Sequence, residues 1–216
     1  MQIKIDWKII IFVLFFFILK VEYIYLLFLI FITAHELSHM IIGIAVGFEP
    51  TFFKITPFGC HISFKINIEN YNKKILKGTL YSLKNIIVAI AGPALNLLIA
   101  IVFYIIMKYE IIIYINVILA ITNILPIYPL DGGRVLKHEL VLLLGRRKAL
   151  EYTNLVSNIA LCILLIEGIL FAWISKQIYI LLGMGYLIYI RIKEHKKYKL
   201  KERAYKILDE YNKFNT

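Results

Sequence analysis

The sequence Ala34-His35-Glu36-Leu37-Ser38-His39 lies inside an apolar stretch over residues 24–48, long enough to cross a bilayer. Ionisable side chains are costly there unless they face a cavity, a metal ion or each other. On a helix, His35 and His39 are one turn apart and share a face, so both imidazoles can bind one zinc ion. Glu36 would lie beside that site, where a carboxylate can accept a proton from water. Two buried histidines satisfied by hydrogen bonds are the alternative interpretation.

The composition of the whole chain indicates a membrane protein. Of its 216 residues, 61% are hydrophobic, more than is usual for a soluble domain. The formal net charge of +11 is a common feature of nucleic-acid-binding proteins. Here the charges lie between long apolar runs, so we expect a lipid bilayer and no nucleic acid as the partner. Two cysteines, Cys60 and Cys162, exclude a disulfide framework and a cysteine-only zinc site.

Six apolar stretches are candidates for membrane spans. The first reaches a plausible length only if Ile3, Ile5 and Trp7 are included. We therefore predict an all-α membrane protein with about six transmembrane helices in residues 1–190 and a basic cytosolic tail over residues 191–216. The six stretches are residues 9–19, 24–48, 86–107, 111–129, 154–173 and 178–190.

Three basic segments set the predicted orientation of the chain. Residues 49–85, 134–153 and 191–216 each hold more Lys and Arg than Asp and Glu. Loops on the cytosolic side concentrate Lys and Arg, so we expect these segments and both termini in the cytosol. Apolar residues recur at helical spacing in the tail, which predicts either an interfacial helix or a solvated basic tail.

A small β-hairpin is predicted between the second and third spanning helices. Apolar and polar residues alternate over residues 62–68, which is the period of a strand. Thr56-Pro57-Phe58-Gly59 is a turn signal, and residues 51–55 can form the partner strand. We expect this hairpin to lie at the membrane surface.

A third zinc ligand is needed, because catalytic zinc sites usually have three protein ligands. Asp131 follows an irregular segment that contains Pro126 and Pro129. Irregular backbone at membrane depth is tolerated where it lines a cavity, and proline frees carbonyls that can hold a substrate or a water. A simple turn that closes the span explains Asp131-Gly132 equally well. The other candidates for the third ligand are His61, His138, His195 and other carboxylates.

The position of each candidate ligand along its span favours the metal interpretation. His39 lies about 13 Å from the predicted cytosolic end of its helix, at 1.5 Å per residue. Asp131 lies near the predicted cytosolic end of its own span. Both residues therefore approach the same side of the bilayer, which predicts a site reached by water from the cytosol.

Four stretches together resemble the site-2 protease family of intramembrane zinc metalloproteases, and most closely its stage IV sporulation protein FB group. His35, His39 and Glu36 match the histidine ligands and the catalytic base of the zinc helix. Asp131 matches the third zinc ligand, and Asn123 matches an Asn that helps to hold the substrate or an oxyanion. A helix-packing hydrogen bond is the alternative role for Asn123. The four stretches are residues 34–39, 57–59, 90–96 and 125–133.

The resemblance implies a bacterial, multi-pass membrane enzyme that needs zinc. It would cleave a membrane-tethered regulator, either a sigma-factor precursor during sporulation or an anti-sigma-type protein, and membrane proteins could inhibit it. Residues 1–190 would form the protease domain, without the C-terminal cystathionine-beta-synthase-type domain of the sporulation group. Ser38 departs from the pattern, since glycine is common there. A zinc transporter and a non-catalytic scaffold are the competing interpretations.

Overall fold

The computed structural model describes residues 2–18, 20, 22–56, 59–65, 74–175 and 179–214. Helices dominate this part of the chain, and a three-stranded sheet accompanies them. In chain order the elements are β1 (Gln2–Ile5), α1 (Lys8–Ile18), α2 (Glu22–Ala45), β2 (Glu49–Thr56), β3 (Gly59–Lys65), α3 (Lys74–Val102), a π-helical turn (Phe103–Met107), α4 (Glu110–Ile124), α5 (Asp131–Ser175) and α6 (Tyr179–Phe214). They divide into two compact units, Met1–Ile124 and Leu125–Thr216.

The sheet of the first unit has the strand order β1-β2-β3. β2 and β3 are antiparallel, with Phe53 opposite Ile62, so the predicted hairpin between α2 and α3 is confirmed. Its turn residues 57–58 and the predicted strand residues 66–68 lie outside the described residues. β3 forms one edge of this sheet, and β2 is its central strand.

The N-terminal residues form a strand that we did not predict. β1 pairs with β2 in parallel, with Ile3 opposite Phe53 and Ile5 opposite Ile55. The expectation that Ile3, Ile5 and Trp7 extend the first span was therefore wrong, because α1 begins only at Lys8. The alternation of Ile3 and Ile5 with Lys4 and Asp6 is the period of a strand.

The helices of the first unit share an apolar core. Phe31 of α2 packs with Ile115 and Leu119 of α4, and α3 contacts both α2 and α4. α1 and α2 form a helical hairpin through Lys20, whose φ is 56°. The ring of Phe16 stacks on Tyr25 with the centroids 4.5 Å apart. This packing holds α2 against α3. Both helices contribute residues to the candidate site.

Within the part of the chain that the structure describes, three helical stretches are long and apolar enough to cross a membrane: Glu22–Ala45, Gly78–Met107 and Asp131–Leu170. Shorter apolar helices are found at Lys8–Ile18 and Glu110–Ile124. These helices point to an integral membrane protein, while the count of six spans stays a prediction.

The second unit consists of an irregular segment, residues 125–130, followed by the packed helices α5 and α6. α5 changes direction at Gly145, which has φ 79° and ψ 167°. The predicted tail is helical as far as Phe214, because α6 continues through it. Its position relative to a bilayer stays a prediction.

Candidate metal centre

Two buried histidines of α2 face one row of residues on α3. The side chains of His35 and His39 are 2% and 3% exposed. Val88, Gly92 and Asn96 are spaced four residues apart, so they share one face of α3. His39 Nδ1 lies 2.7 Å from the Val88 carbonyl oxygen, and His35 Nδ1 lies 3.1 Å from the Asn96 carboxamide. The two helices therefore run antiparallel at this contact.

The Val88 carbonyl determines which nitrogen of His39 carries the proton. A carbonyl oxygen can only accept a hydrogen bond, so His39 Nδ1 is the protonated nitrogen and donates to it. The Nε2 atom of a neutral His39 then keeps its lone pair. This is the tautomer that binds a metal ion through Nε2.

Asn96 can determine in the same way which nitrogen of His35 carries the proton. Asn96 is 0% exposed, and its Nδ2 donates to His35 Nδ1, while its Oδ1 is buried without a hydrogen-bond partner. A half-turn of the carboxamide would bring Oδ1 to His35 Nδ1, which would then donate to it. That arrangement satisfies the buried oxygen and leaves the His35 Nε2 lone pair for a metal ion.

The space between the imidazoles fits a zinc ion. The Nε2 atoms of His35 and His39 lie 3.2 Å apart. Two nitrogens on a tetrahedral zinc, each about 2.0–2.1 Å from it, would be about 3.3 Å apart. A Cβ atom at Gly92 would lie 2.5 Å from both Nε2 atoms, so only glycine leaves this space open. The nitrogen separation and the open space both fit zinc.

Asp131 is the first residue of α5 and is 5% exposed. A helix N-terminus favours a carboxylate, since the backbone dipoles there are positive. Arg134 Nη1 lies 3.5 Å from Asp131 Oδ1. The preceding segment packs closely on this first turn, because a Cβ at Gly133 would lie 2.6 Å from Tyr128 Cα. His35 and His39 belong to the first unit and Asp131 to the second, and each is a buried residue with an atom that can be a metal ligand.

Ser157 of α5 holds the segment before Asp131. Its hydroxyl accepts the Tyr128 backbone N–H at 2.9 Å and donates to the Pro126 carbonyl at 3.3 Å. The peptide bond between Tyr128 and Pro129 is cis. The Pro126 carbonyl is therefore engaged by the protein itself.

The structure also places the remaining predicted residues. Glu36 follows His35 on α2 and is half-buried. Asn123 lies on α4, where its Nδ2 donates to the Leu119 carbonyl at 2.9 Å. His195 lies on α6 with its Nδ1 3.1 Å from Asn154 Oδ1, and the imidazole of His61 lies outside the described side chains.

Sequence reasoning missed the roles of Val88, Gly92 and Asn96. A glycine and an asparagine four residues apart inside an apolar span were a signal that one face of α3 packs closely against polar groups. The sequence does not reveal the antiparallel register that brings this face onto His35 and His39.

Two comparisons found similarity to known proteins. Residues 105–167 match the family model of Peptidase family M50, and this stretch includes Asn123 and Asp131 but not His35. The chain is similar to the solved Site-2 Protease from Methanocaldococcus jannaschii, with 21% identity, a TM-score of 0.58 and 89% of each chain covered. No curated protein matches the sequence.

The two comparisons cover different aspects of the protein. The structural likeness shows that the chain has a fold like that of the solved site-2 protease. The family-model match covers α4, the segment that leads into Asp131 and most of α5. Together, the match to Peptidase family M50 and the fold support a metalloprotease.

Proposed function

We propose that the protein is an intramembrane zinc metalloprotease, with zinc held by His35, His39 and Asp131. The observation that carries this proposal is the pair of buried Nε2 atoms 3.2 Å apart over Gly92. Two nitrogen ligands with a third, carboxylate ligand are typical of catalytic zinc sites, which keep a fourth position open. Bound there, zinc would act as a Lewis acid toward a peptide carbonyl and a water molecule.

Glu36 is the proposed catalytic base. It directly follows the ligand His35, as the base does in the His-Glu-x-x-His pattern of zinc proteases. The carboxylate would take one proton from the attacking water and later deliver it to the leaving amine, so the peptide bond breaks with the addition of one water. His39 and His35 would stay neutral, with Val88 and Asn96 holding their Nδ1 atoms.

The proposed substrate is the transmembrane segment, or its border, of a membrane-tethered regulator. The resemblance to the sporulation group favours a pro-sigma factor, and an anti-sigma-type protein has the same architecture. A helical substrate hides its carbonyls in internal hydrogen bonds, so it must be extended before cleavage. β3 is an edge strand of the sheet, and an extended substrate could pair with it by strand addition.

Asn123, Pro126 and Pro129 are proposed to contact the substrate. Asn123 uses one amide hydrogen on the Leu119 carbonyl, and the second is available for a substrate oxygen. Since Ser157 occupies the Pro126 carbonyl, Pro126 and Pro129 would contribute the shape of the segment that bears Asp131. We propose that this site opens toward the cytosol of a bacterial cell, with both termini on that side.

Metal content is the first test of the proposed site. We expect detergent-purified wild-type protein to hold about one zinc ion per chain, and Asp131→Ala to lose most of it. Glu139→Ala removes an exposed carboxylate of the same helix and should leave the zinc content unchanged. Retention of zinc by Asp131→Ala would show that the third ligand is misassigned.

Glu36→Gln tests the proposed reaction separately from metal binding. We expect this variant to keep its zinc and to cleave co-expressed single-span substrates at least 100-fold more slowly than wild type. A zinc transporter would instead lose metal movement across vesicles, and a scaffold would show no change in either assay. Unchanged cleavage by Glu36→Gln would rule out the proposed base.

A further inference from the structure

A second polar site lies between α5 and α6, and its lining includes none of the proposed metal ligands. A cavity of about 40 Å³ opens there within the unit Leu125–Thr216. Its lining carries four basic side chains and one acidic one, Glu194. Glu194 is already paired with one of the four, Lys197, at 2.5 Å. The lining therefore has an excess of positive charge, contributed by Lys137, Arg191 and Lys201.

Arg191 is a buried cation that donates hydrogen bonds to neutral asparagine groups, and the nearby carboxylate of Glu194 also acts on its charge. Arg191 is 5% exposed, and burial lowers its pKa, as expected for a cation removed from water. Its guanidinium donates to Asn158 Oδ1 at 3.0 Å, and to the backbone and side-chain oxygens of Asn154 at 2.9 and 2.5 Å. These neutral groups orient the Arg191 guanidinium without neutralising its charge. Buried charges in proteins are normally paired with an opposite charge.

On the α5 side, Lys137 adds a second cation and Thr153 adds a buried hydroxyl group. Lys137 is half-buried, and its Nζ lies 4.8 Å from the centroid of the Tyr128 ring. Thr153 is buried, and its Oγ1 has no hydrogen-bond partner. An unsatisfied hydroxyl in a cavity lined by a buried arginine and a half-buried lysine is suited to an anion that has several acceptor oxygens.

We propose that this cavity binds a phosphate group, with Arg191, Lys137 and Lys201 as its cationic partners and Thr153 as a hydroxyl donor. A phosphate group offers up to two negative charges and several acceptor oxygens, whereas a carboxylate offers one charge and two oxygens. The group can belong to an anionic lipid headgroup or to a free phosphate compound. Basic segments beside apolar helices attract anionic lipids.

The site is connected to the segment that bears Asp131. Tyr128 lines the cavity and lies three residues before Asp131, within the segment held by Ser157. A phosphate group bound against Lys137 and Arg191 would join α6 to the N-terminal part of α5, whose first residue is Asp131. Occupancy of the cavity would therefore stabilise the second unit as a whole.

Thermal unfolding of the full chain tests this proposal in two arms. In neutral detergent, sodium phosphate is titrated against sodium chloride at equal ionic strength. In phosphate-free buffer, phosphatidylcholine nanodiscs are compared with nanodiscs that also contain phosphatidylglycerol. We expect a saturable rise in Tm in at least one arm. A rise with phosphatidylglycerol alone identifies a lipid headgroup, and a rise with phosphate identifies a free phosphate compound.

Variants decide whether the rise comes from this cavity. We expect Lys137→Gln and Lys201→Gln each to weaken the apparent affinity at least tenfold, and Arg191→Gln to abolish the response. Lys196→Gln makes the same charge change on an exposed residue of α6 outside the lining and should respond like wild type. If Arg191→Gln does not fold, the two lysine variants still show whether the rise in Tm comes from this cavity. No rise in either arm, or equal responses in all variants, would overturn the proposal.

Discussion

Gly92 is the residue at which the proposed zinc site tolerates least change. A methyl group there would lie 2.5 Å from the Nε2 atoms of both histidines, and α2 would have to move away from α3 to admit it. We expect Gly92→Ala to lose most of the bound zinc, measured as metal content after purification. Gly78→Ala is the matched control on the same helix, because nothing lies within 4 Å of its added methyl group.

The control variant should also differ from Gly92→Ala in stability. Alanine is favoured over glycine in a helix by about 0.5–1 kcal/mol, so Gly78→Ala should unfold at an equal or higher temperature than wild type. If Gly92→Ala holds as much zinc as Gly78→Ala, the metal does not lie between these imidazoles.

Asn96 is predicted to act on zinc binding through His35. Removal of a side chain that orients a ligand typically lowers metal affinity 10–100-fold. We expect that loss for Asn96→Ala, measured by competition with a zinc chelator and by the visible absorption of the cobalt-substituted protein. Asn116→Ala removes another fully buried asparagine of the same unit, whose Nδ2 bonds Ile112 of its own helix. Equal zinc affinities in the two variants would assign Asn96 a packing role alone.

At the scale of elements, Ser157 is predicted to stabilise the segment between α4 and α5. Its hydroxyl satisfies both the Tyr128 N–H and the Pro126 carbonyl. Loss of that hydroxyl leaves two partly buried groups unpaired, so Ser157→Ala should lower the free energy of unfolding by about 1–3 kcal/mol. Thr122→Val is the comparison, because the Thr122 hydroxyl bonds only carbonyls of its own helix. The midpoints of thermal unfolding should separate the two variants.

The elements also show how far the sequence could predict this fold. Apolar length located α2 and the C-terminal part of α3, and the spacing of His35 and His39 predicted a shared helical face. β1 was missed because four alternating residues merge into the apolar run that follows them. The pairing of Val88 and Asn96 with the two histidines depends on how α3 packs against α2. Helix packing depends on side-chain contacts between distant segments, which a single sequence does not reveal.

At the scale of the whole molecule, the distribution of charge predicts the orientation of the chain. Cysteines placed at Lys148 and Lys199 should react with a membrane-impermeant maleimide only after the cells are opened, because basic segments stay in the cytosol. A cysteine at the exposed Lys108, between the third and fourth predicted spans, should react in intact cells. The background would carry serine in place of Cys60 and Cys162. The reverse pattern would place the proposed site on the outer side.

The parallel pairing of β1 with β2 also restricts how the chain enters a membrane. Residues 2–5 and 52–55 are hydrogen-bonded neighbours, so the path between them begins and ends on the same side of the bilayer. The number of crossings along that path must be even. If α2 crosses, α1 must cross in the opposite direction. The 11 residues of α1 span only about 16 Å of a hydrocarbon core about 30 Å thick. The β1–β2 pairing therefore requires α1 and α2 to cross the bilayer as a pair or not at all.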